Sequence, residues 1–172
     1  MLTKEQIEKK LSVLIGERIR QFRRAALMLG VDIGEDVDYV YASGLQKGKK
    51  VLKPMFSLHI QASWRLLKGS GICLAQSAMF SSMNGFRWVE DSEIAEVDSP
   101  FKQISSELNE TFQASSITVT RVDVSDYGDL KLYMGNEYCL EVFVDSVGAT
   151  ESWRFFEVNS DEHLVVFDDS DI

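Results

Sequence analysis

The segment MFSLHIQASWRLL, residues 55–67, alternates apolar and polar side chains along its whole length. The apolar set is Phe56, Leu58, Ile60, Ala62, Trp64 and Leu66, and the polar set is Ser57, His59, Gln61, Ser63 and Arg65. Side chains point alternately to the two faces of an extended chain, so the pattern predicts a strand with one buried face. Because the segment exceeds the usual strand length of about five or six residues, we expect a bulge or a bend within it.

Further strand patterns occur on both sides of this segment. The turn residues KGSG and the apolar ICLAQ follow it directly, which predicts a hairpin. Upstream, IRQFRRA, LMLGVDIG and VDYVYAS are candidate strands, and the basic stretch LQKGKKVLK is read as an exposed hairpin loop. Downstream, SITVTRVDVS, LKLYM, YCLEVFV, SWRFFEV and HLVVF are separated by short turns, which predicts an antiparallel meander. We expect Gly128 and Gly135 to take positive φ in two of these turns.

The first helix is predicted to begin at the start of the chain. Thr3 and Gln6 have the spacing of a capping box, and apolar residues recur after them at helical intervals. The same period continues as far as Gly30, so the helix ends either near Gly16 or at Gly30. A glycine inside a helix costs about 1 kcal/mol relative to alanine, which favours a break near Gly16.

The second helix is predicted over about residues 99–113. Ser99 and Pro100 are typical of the N-cap and the first helical position, and an apolar face continues through FKQISSELNETF. Residues 84–98 show no period and are read as an exposed connection. These elements predict a single α+β domain over residues 1–172, with a mainly antiparallel sheet, about two helices and a frayed acidic terminus at residues 169–172.

The chain is acidic, with a net charge of −9, and 45% of its 172 residues are hydrophobic. Residues 1–54 contain 11 Lys and Arg against 7 Asp and Glu, whereas residues 55–172 contain 7 against 20. An acidic surface repels nucleic acid and anionic membranes and attracts basic proteins. The sequence has no apolar run of membrane-spanning length and no signal-peptide pattern. We therefore expect a cytoplasmic protein that binds neither nucleic acid nor membrane.

The triplet SWR occurs twice, in SWRLL at residues 63–67 and in SWRFF at residues 152–156. The flanking sequences have little in common, which argues against the duplication of a longer unit. In both copies the alternation of a strand would bury the tryptophan and place the arginine on the opposite face.

Each of these arginines could pair with a carboxylate of the fold or contact a ligand or partner, because the guanidinium binds carboxylate and phosphate groups in a bidentate manner. Glu141 and Glu157 lie in the same predicted meander and are available for cross-strand pairs. The sequence leaves both alternatives open. The candidate binding residues are His59, Gln61, Arg65, Arg154 and Glu141.

Catalytic and metal-binding motifs are absent from the sequence. It has only two histidines, His59 and His163, and it lacks the motifs CxxC, HExxH and GxSxG and a glycine-rich phosphate loop. Cys73 and Cys139 lie in apolar segments that are typical of buried thiols. We therefore expect no metal and no cofactor. An enzyme built on this chain would use His59 as a general base and Arg65 to hold an anionic group.

Four segments, LHIQASWR, DYGDLKLYM, YCLEVFVD and ESWRFFE, together resemble a set of small uncharacterised bacterial proteins that have WR strands around a GDL turn. The likeness covers most of residues 55–168. Some members resemble immunity proteins, which neutralise a toxin partner, so the resemblance implies a stand-alone cytoplasmic domain and carries no catalytic assignment. Members often read C-P-W-R where this chain has A-S-W-R at residues 62–65, so the resemblance implies no role for a cysteine here.

Three functions are compatible with the sequence. We expect an interaction domain of the immunity type that binds a basic protein partner, because the chain is acidic and has no catalytic motif. The alternatives are a domain that binds a small ligand and an enzyme that uses His59 and Arg65.

Overall fold

The computed structural model describes residues 3–81, 99–145, 151–160 and 162–166. Its helices and strands there are α1 (Lys4–Leu11), β1 (Ile19–Ala25), β2 (Met28–Val40), β3 (Lys50–Ile60), β4 (Ser63–Lys68), β5 (Gly71–Ala75), α2 (Pro100–Ser115), β6 (Val119–Val124), β7 (Leu130–Met134), β8 (Tyr138–Phe143), β9 (Trp153–Glu157) and β10 (His163–Val166). Short 3-10 helices follow α1 at Ser12–Leu14 and β5 at Gln76–Met79. The predicted connection over residues 84–98 and the predicted frayed terminus lie outside the described residues.

The strands form two antiparallel sheets of five strands each. The first sheet has the order β1-β2-β3-β9-β10, and the second has the order β5-β4-β8-β7-β6. Each sheet contributes one apolar face to a single buried cluster, to which both helices also contribute side chains. The predicted class, α+β with mainly antiparallel sheet and two helices, is thereby confirmed for the described part of the chain. We call the face of each sheet that points away from this cluster its outer face.

The alternating segment at residues 55–67 belongs to both sheets. The expected bend lies at Gln61 and Ala62, between the end of β3 and the start of β4, and the amides of both residues donate to the carbonyl oxygen of Ser152 at 2.9 Å. The apolar set stays buried on both sides of the bend. The polar set is divided, so that His59 and Arg65 lie on the outer faces of different sheets.

The five strands predicted after α2 are all present, but they divide between the sheets. β6, β7 and β8 form a meander in the second sheet, whereas β9 and β10 join the first sheet, where β9 pairs with β3. Gly128 has the expected positive φ of 87°. The prediction for Gly135 is wrong: Asn136 and Glu137 take the left-handed conformation in the β7–β8 turn, with φ of 57° and 64°.

Both helix starts agree with the sequence prediction. The capping box is formed at Thr3 and Gln6, and Pro100 is the first residue of α2. The first helix does not reach Gly30, because α1 ends at Leu11 and Gly16 has a φ of 92°. The region after Gly16 therefore forms strands: IRQFRRA is β1, whereas most of LMLGVDIG and the start of VDYVYAS, predicted as two strands, belong to the single strand β2.

Residues of α2 cover the edge strand β1 and fix its position. The side-chain amide of Asn109 accepts a hydrogen bond from the Phe22 amide at 2.7 Å and donates to the Phe22 carbonyl oxygen at 3.0 Å, as a neighbouring strand would. Gln113 donates to the carbonyl oxygen of Arg20 at 3.0 Å. The edge is thereby protected from pairing with other chains.

Candidate functional site

The outer face of the first sheet carries a continuous group of polar and aromatic side chains. Strand register places Asp32 of β2 opposite Ser57 of β3, and Ser57 opposite Phe156 of β9. Two residues further along β3, on the same face, His59 lies opposite Arg154. These positions are neighbours on one face because side chains alternate along each strand.

Asp32 is the centre of this face and is only 3% exposed. Its carboxylate accepts three hydrogen bonds, from Gln21 Nε2 at 2.7 Å, from Arg23 Nε at 3.0 Å and from Ser57 Oγ at 2.8 Å. A buried charge is tolerated when it is paired and fully hydrogen-bonded, as here. The three donors belong to two strands, β1 and β3, so Asp32 holds the polar face together across β2.

Gly30 allows Arg23 to reach this position. A Cβ atom added at Gly30 would lie 2.8 Å from Arg23 Cζ and 3.0 Å from its Cγ and Nη1, closer than side-chain carbons come to one another. The Arg23 side chain therefore lies against the β2 backbone at Gly30. Any larger residue at position 30 would require this side chain to move.

Arg23 also fixes the state of His59. Its Nη2 atom lies 3.1 Å from His59 Nε2, and since a guanidinium can only donate, Nε2 is the acceptor and the ring proton is on Nδ1. Burial lowers the pKa of His59, and the nearby charges of Arg23 and Arg154 lower it further. His59 is consequently a neutral imidazole whose Nε2 lone pair is already in use, which is unfavourable for a general base.

Arg154 has a carboxylate partner close to it in sequence. Its Nε atom donates to Glu151 Oε1 at 2.6 Å and its Nη2 atom to Glu151 Oε2. Gln61 Nε2 donates to the same Oε1 atom at 3.2 Å. Glu157, which the sequence also offered as a partner, is exposed and forms no salt bridge with any described residue.

A cleft of about 470 Å³ opens on this face next to the Asp32 group. Its lining includes Arg23, Ser57, His59, Phe156 and His163 on the sheet, with Tyr39 and Lys53 on the extension of β2 and β3. The β9–β10 turn closes one side, where Val158 N donates to Met55 O at 2.8 Å and Asn159 Nδ2 to Asp38 O at 3.0 Å.

The outer face of the second sheet is organised around an internal ion pair. Glu141 of β8 is buried and accepts from Arg65 Nε at 2.7 Å and from Lys131 Nζ at 2.9 Å. Burial raises the pKa of Glu141, but the hydrogen bonds from Lys131 and Arg65 outweigh this effect and the net shift is downward. The cross-strand pair proposed for Arg65 is therefore present, with its guanidinium also 5.1 Å from the centre of the Phe143 ring.

The structure separates the predicted site residues into two groups. His59, Gln61 and Arg154 lie together on the first sheet, whereas Arg65 and Glu141 pair on the second. His59 and Arg65, the pair suggested for an enzyme, lie on different sheets, because the strand that was to hold both residues bends at Gln61.

Sequence analysis missed Arg23 and Asp32, the two charged residues that organise the cleft. Both lie in segments that were recognised as strands, and their meeting depends on the pairing of β1 with β2. One signal in the sequence indicated Asp32. It stands between the apolar residues Val31 and Ile33, two positions after Gly30. A carboxylate in an apolar strand requires a buried partner.

Other chemistry receives little support from the described residues. They contain no group of three or more His, Cys, Asp or Glu side chains placed to hold a metal ion, and no helix among them is long and apolar enough to cross a membrane. Cys73 and Cys139 are free and half-buried, and burial raises the pKa of both thiols, which makes them poor nucleophiles. Comparisons with protein-family models, with curated proteins and with solved structures found no significant match for this chain.

Proposed function

We propose that this chain is a binding domain that holds a small ligand with a negatively charged group in the cleft on the first sheet. The observation that carries the proposal is the placement of Arg23, whose guanidinium is fixed by the buried Asp32 and lines the cleft. A ligand anion would meet an arginine that is already oriented, so little side-chain entropy would be lost on binding.

The size and lining of the cleft support this reading. Small-molecule sites are typically clefts of about 300–1,000 Å³ with several aromatic side chains and a few polar groups that orient the ligand. The cleft of about 470 Å³ has Tyr39, Phe156 and His163 as its aromatic side chains. Arg23 and Lys53 supply hydrogen-bond donors on the same surface, whereas the Ser57 hydroxyl, which donates to Asp32, can only accept from a ligand.

Binding is favoured over catalysis by the state of His59. Its Nε2 atom accepts a hydrogen bond from Arg23, and Arg65, the proposed anion holder of an enzyme, lies on the other sheet. Among the described residues that line the cleft, Ser57 is the one other nucleophile with a carboxylate partner, and its hydroxyl donates to the buried Asp32.

The test is a titration monitored by NMR with three probes: inorganic phosphate, acetate and benzoate. We expect saturable binding of at least one anion in the wild type and a loss of about tenfold or more in Arg23→Met, since a charge-assisted hydrogen bond contributes about 1.5–3 kcal/mol. Arg121→Met is the matched control, because Arg121 is an exposed arginine of the second sheet, paired with Asp123. Absence of binding by all three probes, or equal binding by both variants, would refute the proposal.

A second candidate, an interaction domain of the immunity type that binds a basic protein partner in the cytoplasm, is favoured by the charge distribution. Residues 55–172 carry 20 acidic against 7 basic residues. Several of the described carboxylates already form ion pairs or hydrogen bonds with other residues of the fold, among them Glu141, Glu151 and Asp129. Five of the remaining acidic residues lie within 90–98, outside the described residues.

This candidate is tested by capturing partners from the native extract and measuring their association rate by stopped flow. We expect a rate that falls as salt is added, because the Debye length is about 10 Å at 0.1 M ionic strength and steering is screened. A rate that does not depend on salt would remove the electrostatic argument.

A further inference from the structure

Building on the proposed function, we infer that the ligand of this cleft is an aromatic anion. Its ring would pack on the aromatic side chains of the cleft, and its charge would be neutralised by Lys53 together with Arg23. The inference depends on two features of the cleft that the binding of a simple anion does not require: a lysine without a carboxylate partner and a group of accessible aromatic rings.

Lys53 has its described side-chain contacts with two aromatic rings. Its Nζ atom lies 3.8 Å from the centre of the Tyr39 ring and 4.6 Å from that of Tyr41. Among the described residues no carboxylate comes within 4 Å of it, although the chain carries 27 acidic residues. A cation–π contact at an exposed site is worth only about 0.5–1 kcal/mol, so a ligand carboxylate would improve the environment of this ammonium group.

Three aromatic rings of the cleft, those of His59, Phe156 and His163, form a connected group on the sheet. Phe156 stacks with His163 at a centroid distance of 5.2 Å and an angle of 24°, and His59 meets the Phe156 ring edge-on at 4.7 Å. Phe156 and Tyr39 are half-buried and His163 is exposed, so ring surface remains open in the cleft. Open aromatic surface of this kind favours a flat ligand ring, which can stack or approach edge-on.

The charges around the cleft disfavour a cationic ligand. Its two carboxylates are Asp32, which is buried and fully hydrogen-bonded, and Glu157, which is exposed to solvent and therefore well screened. Arg23 and Lys53 would both repel a ligand cation. An aromatic ring that carries a negative charge satisfies the cations and the rings together.

The inference is tested with three matched probes: benzoate, cyclohexanecarboxylate, which has the charge without the aromatic ring, and benzamide, which has the ring without the charge. We expect benzoate to bind about three- to tenfold more tightly than cyclohexanecarboxylate, because an aromatic contact is worth about 0.5–1.5 kcal/mol beyond the area it buries. It should bind at least about tenfold more tightly than benzamide, because a charge-assisted hydrogen bond contributes about 1.5–3 kcal/mol. Equal affinity for benzoate and cyclohexanecarboxylate would overturn the aromatic part and leave the proposed anion-binding function intact. Failure of both carboxylates to bind, or equal binding of benzamide, would overturn the inference, and the proposed function would fall with it only if phosphate and acetate also failed to bind.

Lys53→Met separates the role of Lys53 from that of Arg23. We expect a loss of benzoate affinity of about fivefold or more, with the fold retained, because methionine keeps the apolar stem over the Tyr39 ring. The control is Lys50→Met, which removes the same charge from an exposed position on the same strand and should change affinity by less than about twofold, the size expected of a distant exposed charge. Equal losses in the two variants would show that only the general charge matters and would overturn the role given to Lys53.

Discussion

Arg65 on the second sheet and Arg154 on the first occupy the same place in the triplet SWR, yet their surroundings differ. Arg65 pairs across the strands with the buried Glu141, which Lys131 also binds. Arg154 pairs with Glu151, a residue that precedes its own strand, and its neighbour across the strands is the neutral His59. The cleft of about 470 Å³ opens on the first sheet.

The difference shows which part of the triplet is determined locally. Both tryptophans are buried, since alternation along the strand is enough to place them in the core. The environment of each arginine is set by the strands on either side, β8 for Arg65 and β3 for Arg154. A short motif therefore predicts burial well and function poorly.

The largest expected effect concerns what the two triplets have in common. Trp64 and Trp153 are 3% and 0% exposed, so Trp64→Ala and Trp153→Ala should each lower the free energy of unfolding by about 3–5 kcal/mol through lost burial and a new cavity. Urea unfolding followed by circular dichroism measures this loss. A loss below about 1 kcal/mol at both sites, the range of an exposed position, would mean that neither indole is in the core.

The buried carboxylates of the two outer faces provide the next comparison. Asp32→Asn and Glu141→Gln keep the shape of each side chain but remove the charge that holds Arg23 or Arg65, and each should cost about 1–3 kcal/mol of stability. Only Asp32→Asn should also weaken benzoate binding, because only Arg23 lines the cleft on the first sheet. Stability is read from urea unfolding and affinity from NMR titration.

Gly30→Ala repeats this test without changing any charge. The added Cβ would displace the Arg23 side chain, so we expect weaker benzoate binding in this variant. Gly71→Ala is the control, because its added Cβ would come no closer than 3.7 Å to another residue.

For the two carboxylate variants, the contradicting outcome is that Glu141→Gln weakens benzoate binding as strongly as Asp32→Asn. The two outer faces would then not be functionally distinct.

The sequence predicted the elements of the fold better than their assembly. The capping box, the break near Gly16 and the buried set of residues 55–67 depend on local patterns and were predicted correctly. The bend at Gln61 leaves the alternation unbroken, because Ile60, Ala62 and Trp64 remain buried on both sides of it. What holds the bend is the Ser152 carbonyl oxygen, about ninety residues away, and no local pattern contains that contact.

The candidate site was predicted only in part for the same reason. His59 was found because it stands on the polar side of a clear alternation. Its partner Arg23 could not be assigned, since their contact joins residues from β1 and β3 across β2. Glu141 was named as one possible partner of the two arginines, and the pairing of β4 with β8 brings it to Arg65.

A smaller effect distinguishes the two tryptophans. Trp153 Nε1 donates to the Gly128 carbonyl oxygen at 2.9 Å, whereas Trp64 Nε1 is buried without a hydrogen-bond partner among the described residues. Trp153→Phe removes a hydrogen bond and should cost about 1 kcal/mol more than Trp64→Phe, which removes an unsatisfied donor. Urea unfolding of both variants measures the difference. Equal costs would show that the Trp64 indole also has a partner, and the two triplets would then be alike in this respect.

The smallest expected effect is a pH dependence specific to the first sheet. Burial, Arg23 and Arg154 lower the pKa of His59, so the folded protein resists protonation of a ring that the unfolded chain protonates at its ordinary pKa of about 6.5. As pH falls through this value, the unfolded state binds more protons than the folded state and stability decreases. The contribution of His59 is fully present above pH of about 7 and is lost progressively toward its lowered pKa.

His59→Gln can still accept from Arg23 through its amide oxygen and cannot be protonated, so its stability should change less between pH 7 and 5.5 than that of the wild type. An identical pH dependence in the wild type and His59→Gln would show that Arg23 does not hold His59 in its neutral form, and the distinction between the two faces would lose its electrostatic basis.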